Sequence, residues 1–351
     1  MLKVFNNLII IISIVLTFLS CTKEKNINLG KIKIEEEIVL NEPIIPSTLM
    51  KTKNNFLAYN AHSRELIIFN ESGKILDRYN NEGKGPGEYL PSQDLFIIGE
   101  YNNKYYVGAN AQNKIMIFNL INDNKIVFYD EIRINDGNIA VAGISNNGYL
   151  YINFLSGKYL FQIYDSDGTL IKKILKKENI DMDQLDAKEL KKYIISNIYI
   201  PHFTKNKMII IGAYNKNIKF YESRNLNFDL IKSVKIKDFK EKSYKSKTNQ
   251  NRKERKVYIA NVGLVGANIF NNKLFIGVSP KYQITSYIHS YNLSGKYIGS
   301  YLIENKINEK IAGLFQFNNN KFLITKKRRE DKNSKFKFER SKIYFGNLVK
   351  E

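Results

Sequence analysis

The side chains best suited to metal or nucleophilic chemistry are few in this chain and lie far apart. They are one cysteine, Cys21, and three histidines, His62, His202 and His289. Zinc sites need three or four closely placed nitrogen, sulfur or oxygen donors, and none of these residues forms a ligand pair. The Gly-x-Ser-x-Gly pattern of serine hydrolases does not occur. The sequence therefore predicts no catalytic residues, no metal and no cofactor, which favours a protein without enzymatic activity but does not decide the question.

Cys21 ends a segment with the features of a secretory signal. Lys3 provides a positive N-terminal region, residues 8–19 are mostly apolar, and the small Ser20 precedes the cysteine. The apolar run is shorter than the roughly 20 residues of a membrane-spanning helix. This pattern predicts a lipoprotein signal peptide over 1–20, cleavage after Ser20 and a lipid on the Cys21 thiol. An uncleaved signal anchor and an ordinary secreted protein are the alternatives.

The residue after Cys21 bears on where the protein is anchored. Thr22 stands where an aspartate would signal retention in the inner membrane of a Gram-negative cell. We therefore expect an extracytoplasmic protein, held by lipid at the cell membrane or outer membrane, in the periplasm or at the cell surface.

The composition is that of a basic, foldable chain without disulfides. Of 351 residues, 43% are hydrophobic and 13% aromatic, and the formal net charge is +21. A single cysteine cannot form a disulfide within the chain, so the core alone must stabilise the fold. Such a charge allows binding to nucleic acid, anionic lipid or acidic glycans. The Lys, Asn, Ile and Tyr richness also fits the codon bias of an AT-rich genome, and an extracytoplasmic address makes nucleic acid an unlikely partner.

Six copies of a weak repeat organise the rest of the chain. Each copy has an asparagine just before an apolar strand, and these are Asn55, Asn103, Asn147, Asn206, Asn272 and Asn320. A second strand ends in an aromatic residue, often with a polar neighbour, as in Phe69-Asn70, Tyr164-Asp165 and Tyr291-Asn292. Glycine-containing turns follow. Units of about 45–50 residues with four strands predict an all-β, six-bladed β-propeller with four-stranded antiparallel blades.

The last repeat is one strand short, and the N-terminal region supplies a spare strand. We predict that Lys31–Leu40 completes the final blade and closes the ring, with residues 21–30 as a tether and 31–351 as the propeller. Three insertions are predicted: a helical segment at 179–197, a basic loop at 235–256 and a basic hairpin at 326–337. The alternative folds are a β-sandwich, two smaller β-domains and a propeller with another number of blades.

A glycine-rich segment stands out between the first two repeats. Its residues are Gly83, Lys84, Gly85, Pro86, Gly87, Glu88 and Tyr89. No Walker spacing is present, so a crossover between blades is favoured over a phosphate site, with Tyr89 packed between blades. The segment resembles the crossover motif of NHL-like six-bladed propellers, and with the lipobox and repeats the chain is similar to six-bladed β-propeller lipoproteins of Gram-negative bacteria. The resemblance implies the fold and the cellular location, and it implies less about any catalytic or binding activity.

Three functions are compatible with these features. The leading hypothesis is a monomeric, membrane-anchored, non-catalytic propeller that binds or scaffolds a protein, peptide or glycan. The second is a metal-dependent propeller enzyme of lactonase or lyase type, with its site at the central channel and His202, on the predicted inner strand Ser196–Phe203, as a possible channel-facing ligand. The third is an electrostatic binder of anionic glycan or lipid that uses the basic insertions. Tyr101, Tyr105, Tyr106, Tyr149 and Tyr151 either form a binding face or fill the gaps between blades.

Overall fold

The computed structural model describes residues 28–38, 46–61, 63–90, 95–155, 157–177, 197–212, 217–236, 241–246, 255–260, 262–280, 285–304, 309–316, 321–328 and 341–349. The predictions for the signal peptide 1–20, for Cys21, for His62 and for all of the helical insertion except Asn197 concern residues outside these ranges.

The described chain is almost entirely β-structure. It begins with β1 (Asn28–Ile38). Blade 1 contains β2 (Pro46–Lys51), β3 (Phe56–Asn60), β4 (Glu65–Phe69) and β5 (Ile75–Tyr79). Blade 2 contains β6 (Leu95–Tyr101), β7 (Lys104–Ala109), β8 (Lys114–Ile121) and β9 (Lys125–Arg133), with a 3₁₀ turn at Asn110–Gln112. Blade 3 contains β10 (Ile139–Ile144), β11 (Leu150–Phe154), β12 (Tyr159–Tyr164) and β13 (Leu170–Lys176).

The second half of the chain repeats the pattern. Blade 4 contains β14 (Tyr199–Thr204), β15 (Lys207–Gly212), β16 (Asn217–Arg224) and β17 (Asn227–Lys235). A two-stranded ribbon of β18 (Glu241–Ser246) and β19 (Arg255–Ala260) follows. Blade 5 contains β20 (Val262–Phe270), β21 (Lys273–Pro280), β22 (Thr285–Asn292) and β23 (Tyr297–Glu304). Blade 6 has β24 (Glu309–Gln316), β25 (Lys321–Arg328) and β26 (Ser341–Val349) from this end of the chain.

The N-terminal strand completes the sixth blade, as the sequence predicts. β1 pairs antiparallel with β26, from Lys31 opposite Val349 to Ile38 opposite Ile343. The first strands of the six blades contact one another in turn, and the contact between β24 and β2 closes the circle. The chain is therefore a six-bladed propeller whose inner strands are β2, β6, β10, β14, β20 and β24.

β1 also reaches the neighbouring blade. Asn28, Gly30 and Lys31 lie opposite Ser300, Tyr301 and Leu302 of β23, in parallel orientation. Blades 5 and 6 therefore form one eight-stranded sheet, ordered β20-β21-β22-β23-β1-β26-β25-β24. Because strand pairing starts at Asn28, the predicted tether of 21–30 overlaps the propeller by three residues.

Two strands lie within the segment predicted as a basic loop. The high charge of the interval 235–256 predicts an irregular loop, but β18 and the first two residues of β19 fall inside it. These two strands pair antiparallel from Glu241 opposite Ala260 to Ser246 opposite Arg255. Tyr244, Val257 and Tyr258 supply β-forming side chains that the surrounding lysines obscure in the sequence. Of the hairpin predicted at 326–337, residues 326–328 form the end of β25, with Lys327 opposite Ser341, and the rest lies outside the described residues.

In blades 2 and 5, the repeated asparagine just before the second strand has a conformational role. Asn102 and Asn103 both have positive φ, and so do Asn271 and Asn272, which is the backbone of a tight two-residue hairpin. Asparagine tolerates this left-handed conformation better than most residues. Asn55 is used differently, since its side chain donates to the Asp123 carbonyl of blade 2 at 2.5 Å.

An aromatic residue in the second half of the third strand follows a β-bulge in blades 1 to 5. In blade 3, Ile163 lies opposite Lys172 and Tyr164 opposite Leu170, which leaves Ile171 as the extra residue on β13. The extra residues in the other four blades are Leu76, Tyr129, Ile231 and Ile298. The outer strands of these five blades therefore each have an apolar residue at an equivalent bulge. In blades 3 and 4 this residue is exposed on the surface.

Candidate functional site

His202 lies on the inner strand of blade 4. The ring of its neighbour, Phe203, packs on Tyr151 of blade 3 with centroids 4.3 Å apart. Because side chains alternate along a strand, His202 points to the opposite face, which is turned towards blade 5. Burial lowers its pKa to about 4, so the imidazole is neutral near pH 7. Its Nε2 is buried and has no hydrogen-bond partner among the described residues.

The described structure brings no second metal ligand to His202. His289 lies on β22, fully buried and stacked on Tyr287 with ring centroids 6.0 Å apart. Across the part of the chain that the structure describes, no group of three or more His, Cys, Asp or Glu residues is placed to hold a metal ion. The role of His202 as a channel-facing ligand stays a prediction.

The glycine-rich segment joins the outer strand of blade 1 to the inner strand of blade 2. Gly87 has a φ of 72°, and a Cβ added there would lie 2.8 Å from the Phe128 ring and 2.9 Å from the Tyr79 hydroxyl. The Gly83 N–H donates to the Tyr89 carbonyl at 3.0 Å. Tyr89 is fully buried in the cluster shared by blades 1 and 2, and burial raises the pKa of its hydroxyl. The glycines are therefore needed for a compact turn between blades.

The backbone donors of this segment already have anionic partners within the protein. The Gly85 N–H donates to the Glu88 carboxylate at 2.7 Å, and the Gly87 N–H donates to the Glu131 carboxylate at 3.1 Å. These N–H groups are the ones that a phosphate would need. The geometry therefore describes a structural crossover in which carboxylates of the chain occupy the anion-binding positions.

A buried ion pair connects the crossover to blade 2. Lys114, whose side chain is 1% exposed, lies 3.0 Å from the Glu131 carboxylate, and its Nζ also donates to the Gly85 carbonyl at 3.0 Å. Arg133 binds the other Glu131 oxygen at 2.7 Å. Burial on its own raises the pKa of Glu131, but hydrogen bonds from Lys114, Gly87 and Arg133 outweigh it and hold the pKa below its usual value.

The tyrosines considered as a binding face pack between blades instead. Tyr105, Tyr106 and Tyr151 are each no more than 5% exposed. Tyr101 packs against the cluster between blades 2 and 3, and Tyr149 against the cluster between blades 3 and 4. These rings are part of the core.

The most unusual surface lies on the outer strands of blades 3 and 4. Leu170 and Ile171 of β13 are 37% and 45% exposed, and Leu230 and Ile231 of β17 are 56% and 43% exposed. Ile171 and Ile231 are the extra residues of equivalent bulges. Contiguous exposed apolar surface on a protein usually marks an interaction site.

This apolar surface is bordered by lysines. Lys173, Lys176, Lys232 and Lys235 are exposed on the same two strands, with Asp229 as the one exposed acid on them. The Lys172 Nζ donates to the Leu226 carbonyl at 3.0 Å and to the Asn227 side chain at 2.8 Å, which brings β13 alongside the start of β17. We call the exposed apolar and basic residues of these strands the apolar-basic rim: Leu170, Ile171, Lys173, Lys176, Leu230, Ile231, Lys232 and Lys235.

Sequence reasoning missed this rim. Leu170-Ile171 and Leu230-Ile231 look like core residues in the sequence, because adjacent apolar pairs in a strand usually indicate burial on both faces. The available signal was their position a few residues after a polar turn in two successive repeats, next to lysines.

Comparisons with known proteins agree with the architecture. A family model described as a 6-bladed beta-propeller matches residues 43–319. A solved structure of a Bacteroides fragilis protein described as exported superposes with a TM-score of 0.55 at 13% identity, covering 91% of this chain and 95% of that one. A member of the DUF4221 family from Bacteroides vulgatus has the same TM-score at 10% identity, covering 92% and 99%. These likenesses show the fold. No curated protein sequence matches the chain.

Proposed function

Because this chain belongs to the family of 6-bladed beta-propellers, we propose that it is a binding and scaffolding module, held outside the cytoplasm by a lipid on Cys21. Its ligand is a protein, peptide or glycan, and it binds without catalysis. The observation that carries the binding role is the apolar-basic rim, since four large apolar side chains stay exposed on two neighbouring outer strands.

The fold is compatible with a short anchor. The chain between Cys21 and Asn28 spans at most about 25 Å when fully extended. Asn28 starts the strand that joins blades 5 and 6, so a lipid on Cys21 would hold that side of the ring near the membrane. None of the described helices is long and apolar enough to cross a bilayer. The description of the Bacteroides fragilis protein as exported agrees with this location.

The anchor is tested by metabolic labelling in a Gram-negative host. We expect the wild-type chain to incorporate an alkyne fatty acid and to fractionate with membranes. Cys21→Ser should lose the label and leave the membrane fraction, whereas Ser20→Ala should keep both properties because alanine is also small. A labelled Cys21→Ser protein would contradict the anchor.

The binding surface is tested by photo-crosslinking in cells. A photo-reactive residue is placed at Ile231 on the rim, or at Ile121 on blade 2 as a control, because Ile121 is 49% exposed but lies outside the rim. We expect a defined adduct from position 231 and none from position 121. Equal adducts at both positions, or none at 231, would contradict the proposal.

A further inference from the structure

The outer edge of a blade in this fold can accept an additional strand, and blade 5 shows how. Its outer strand, β23, is paired on one side with β22 and on the other with the first residues of β1 in parallel. With β1 in place, none of the β23 residues with a described side-chain environment, 297–303, is exposed. A strand contributed from elsewhere in the chain therefore covers this edge.

The equivalent edge of blade 4 carries no described strand. β17 is the last member of its sheet, ordered β14-β15-β16-β17. Seven of its nine residues are exposed. Leu230 lies opposite Tyr221 after the bulge, as Tyr297 lies opposite Tyr291. By this correspondence Ser233–Lys235 occupy the place at which Ser300–Leu302 pair with β1. We call Leu230–Lys235 the β17 edge.

β17 is a nine-residue edge strand with exposed apolar side chains, and none of the described strands covers its free edge. Such an edge is unusual, because natural proteins shorten or cover their edge strands. The outer strands of blades 1 and 2 differ from it. None of the five β5 residues is exposed. On β9 the exposed Tyr129 lies under Lys104, whose Nζ is 3.6 Å from the ring centroid.

The chemistry of the β17 edge indicates what would cover it. Leu230 and Ile231 need apolar side chains beside them, and Lys232 and Lys235 need acidic ones. β1 pairs with β23 only through its first residues, up to Lys31, and its later residues pair with β26. Those later residues carry the combination that the β17 edge needs, namely Ile32, Ile34 and the acidic run Glu35-Glu36-Glu37. Strand addition obtains affinity from the main-chain ladder and selectivity from alternate side chains.

We infer that the β17 edge binds an extended, apolar and acidic segment of another protein, which adds to blade 4 as a fifth strand. The inference rests on the proposed binding function and names the class of partner for its rim. A bilayer surface or a second copy of this chain would be a different occupant, and the experiments below separate them.

The probe is a labelled synthetic peptide with the sequence of residues 28–38. Its first residues pair with the corresponding edge in blade 5, and its later residues supply apolar and acidic side chains. The protein is the chain from residue 21 onward with Cys21→Ser, which keeps every described residue and carries no lipid. Fluorescence anisotropy should show saturable binding, and a peptide in which Glu35, Glu36 and Glu37 are replaced by lysine should bind at least about tenfold more weakly, about 1.4 kcal/mol. Absence of saturable binding would overturn the inference.

Backbone methylation distinguishes strand addition from other modes of binding. Successive N–H groups of a strand point to opposite edges. One peptide is therefore N-methylated at Lys31 and Lys33, and the other at Ile32 and Ile34. We expect one of the two to keep its affinity and the other to lose at least about tenfold. Equal affinities, whether kept or lost in both, would overturn strand addition.

Protein variants locate the site. Leu230→Ser with Ile231→Ser should weaken peptide binding at least about tenfold. The matched control, Ile121→Ser with Tyr129→Ser, removes two side chains of 49% and 52% exposure on blade 2 and should leave binding unchanged. Lys232→Glu with Lys235→Glu should reverse the preference, so that the lysine-substituted peptide binds better. Equal effects of the rim and control pairs, or no reversal, would overturn the site.

Two further measurements remove the other occupants. Light scattering should show a monomer, and flotation should show no binding to phosphatidylglycerol vesicles. A dimer that Leu230→Ser with Ile231→Ser dissociates, or vesicle binding in place of peptide binding, would overturn the partner class. The peptide assay needs no lipid, so a negative result together with an intact crosslink at position 231 would remove strand addition and leave the proposed function standing.

Discussion

Gly85 and Gly87 each donate a backbone N–H to a carboxylate of the protein itself, and the second of these carboxylates belongs to a buried ion pair. Glu131 therefore neutralises Lys114 and also accepts the Gly87 N–H, which orients the crossover between blades 1 and 2. Removing one member of a buried pair leaves the other charge without compensation, which is more damaging than replacing both.

We expect Glu131→Gln to lower the free energy of unfolding by about 3–5 kcal/mol, because Lys114 would stay buried without a counter-charge. Lys114→Met should be less harmful, since Arg133 still binds Glu131. Arg133→Gln is the control and should change stability by less than about 1 kcal/mol, because the arginine side chain is 58% exposed. Urea unfolding measures all three, and a harmless Glu131→Gln would contradict this account.

The same carboxylate sets a pH dependence with a defined sign. The folded-state pKa of Glu131 is lowered, so its contribution to stability is complete above the unfolded-state value and is lost as pH falls through the folded-state pKa. The difference in unfolding free energy between wild type and Glu131→Gln should therefore shrink on acidification below about pH 4. A constant difference down to pH 2.5 would contradict this assignment.

His202 should affect stability at a higher pH than Glu131 does. Burial lowers its folded-state pKa to about 4, below the unfolded value of about 6.5, so the unfolded state binds the proton first. Stability should fall between about pH 6.5 and pH 4 with a slope of at most one proton, and His202→Gln should remove this part of the slope. An unchanged profile would show that the imidazole is not held neutral.

At the scale of elements, three turns use one side-chain device. The Asp165 carboxylate accepts the backbone N–H groups of Asp167 and Thr169. In the corresponding turns, the side-chain amide oxygens of Asn70 and Asn292 accept the backbone N–H groups of Lys74 and Lys296. This explains why a polar residue follows the aromatic residue in these repeats. Its side chain stabilises the turn that leads to the outer strand.

The glycine of the blade 3 turn also fixes the distance between two blades. Gly168 has a φ of 82°, and an added Cβ would lie 2.5 Å from Ile132 Cγ2 of blade 2. We expect Gly168→Ala to cost about 1–2 kcal/mol for the left-handed backbone and a further 1–3 kcal/mol for the contact, at about 2–5 kcal/mol in all. In an Ile132→Ala background only the backbone part should remain. Thermal unfolding of the double-mutant cycle measures this, and additive costs would contradict a direct clash.

The elements that the sequence predicts correctly are those whose turns depend on residues close together in the chain. Asn103 and Asn272 are recognisable because a tight hairpin needs a residue that tolerates positive φ, and this requirement is local. The ribbon of β18 and β19 was missed because its pairing depends on residues ten or more positions apart, and its lysines conceal the alternation. The exposure of Leu230 and Ile231 was missed because it depends on whether another strand covers the edge.

At the scale of the molecule, closure by β1 is the feature on which the others depend. Ile32 and Ile38 are 4% and 5% exposed, and burying each contributes about 1.5–3 kcal/mol. Their sum is a large share of the 5–15 kcal/mol by which a typical domain is stable.

We therefore expect deletion of residues 28–38 to lower the melting temperature far more than deletion of the ribbon 241–260, which in the described structure pairs only with itself. Differential scanning calorimetry of the two deletions, each made in the chain from residue 21 onward, measures the difference. Equal melting temperatures would contradict closure by β1.

The pairing of β1 with β26 also fixes an order of events during synthesis. β1 is made before all the other described strands, and its partner β26 is made after them. Contacts between the two ends of a chain form slowly, because so much chain must be closed into a loop first. Until β26 is made, the sixth blade lacks its third strand and β1 lacks its antiparallel partner. A chain truncated before β26 can build five blades but cannot close the ring through this strand pair, so closure reports that synthesis has passed β26.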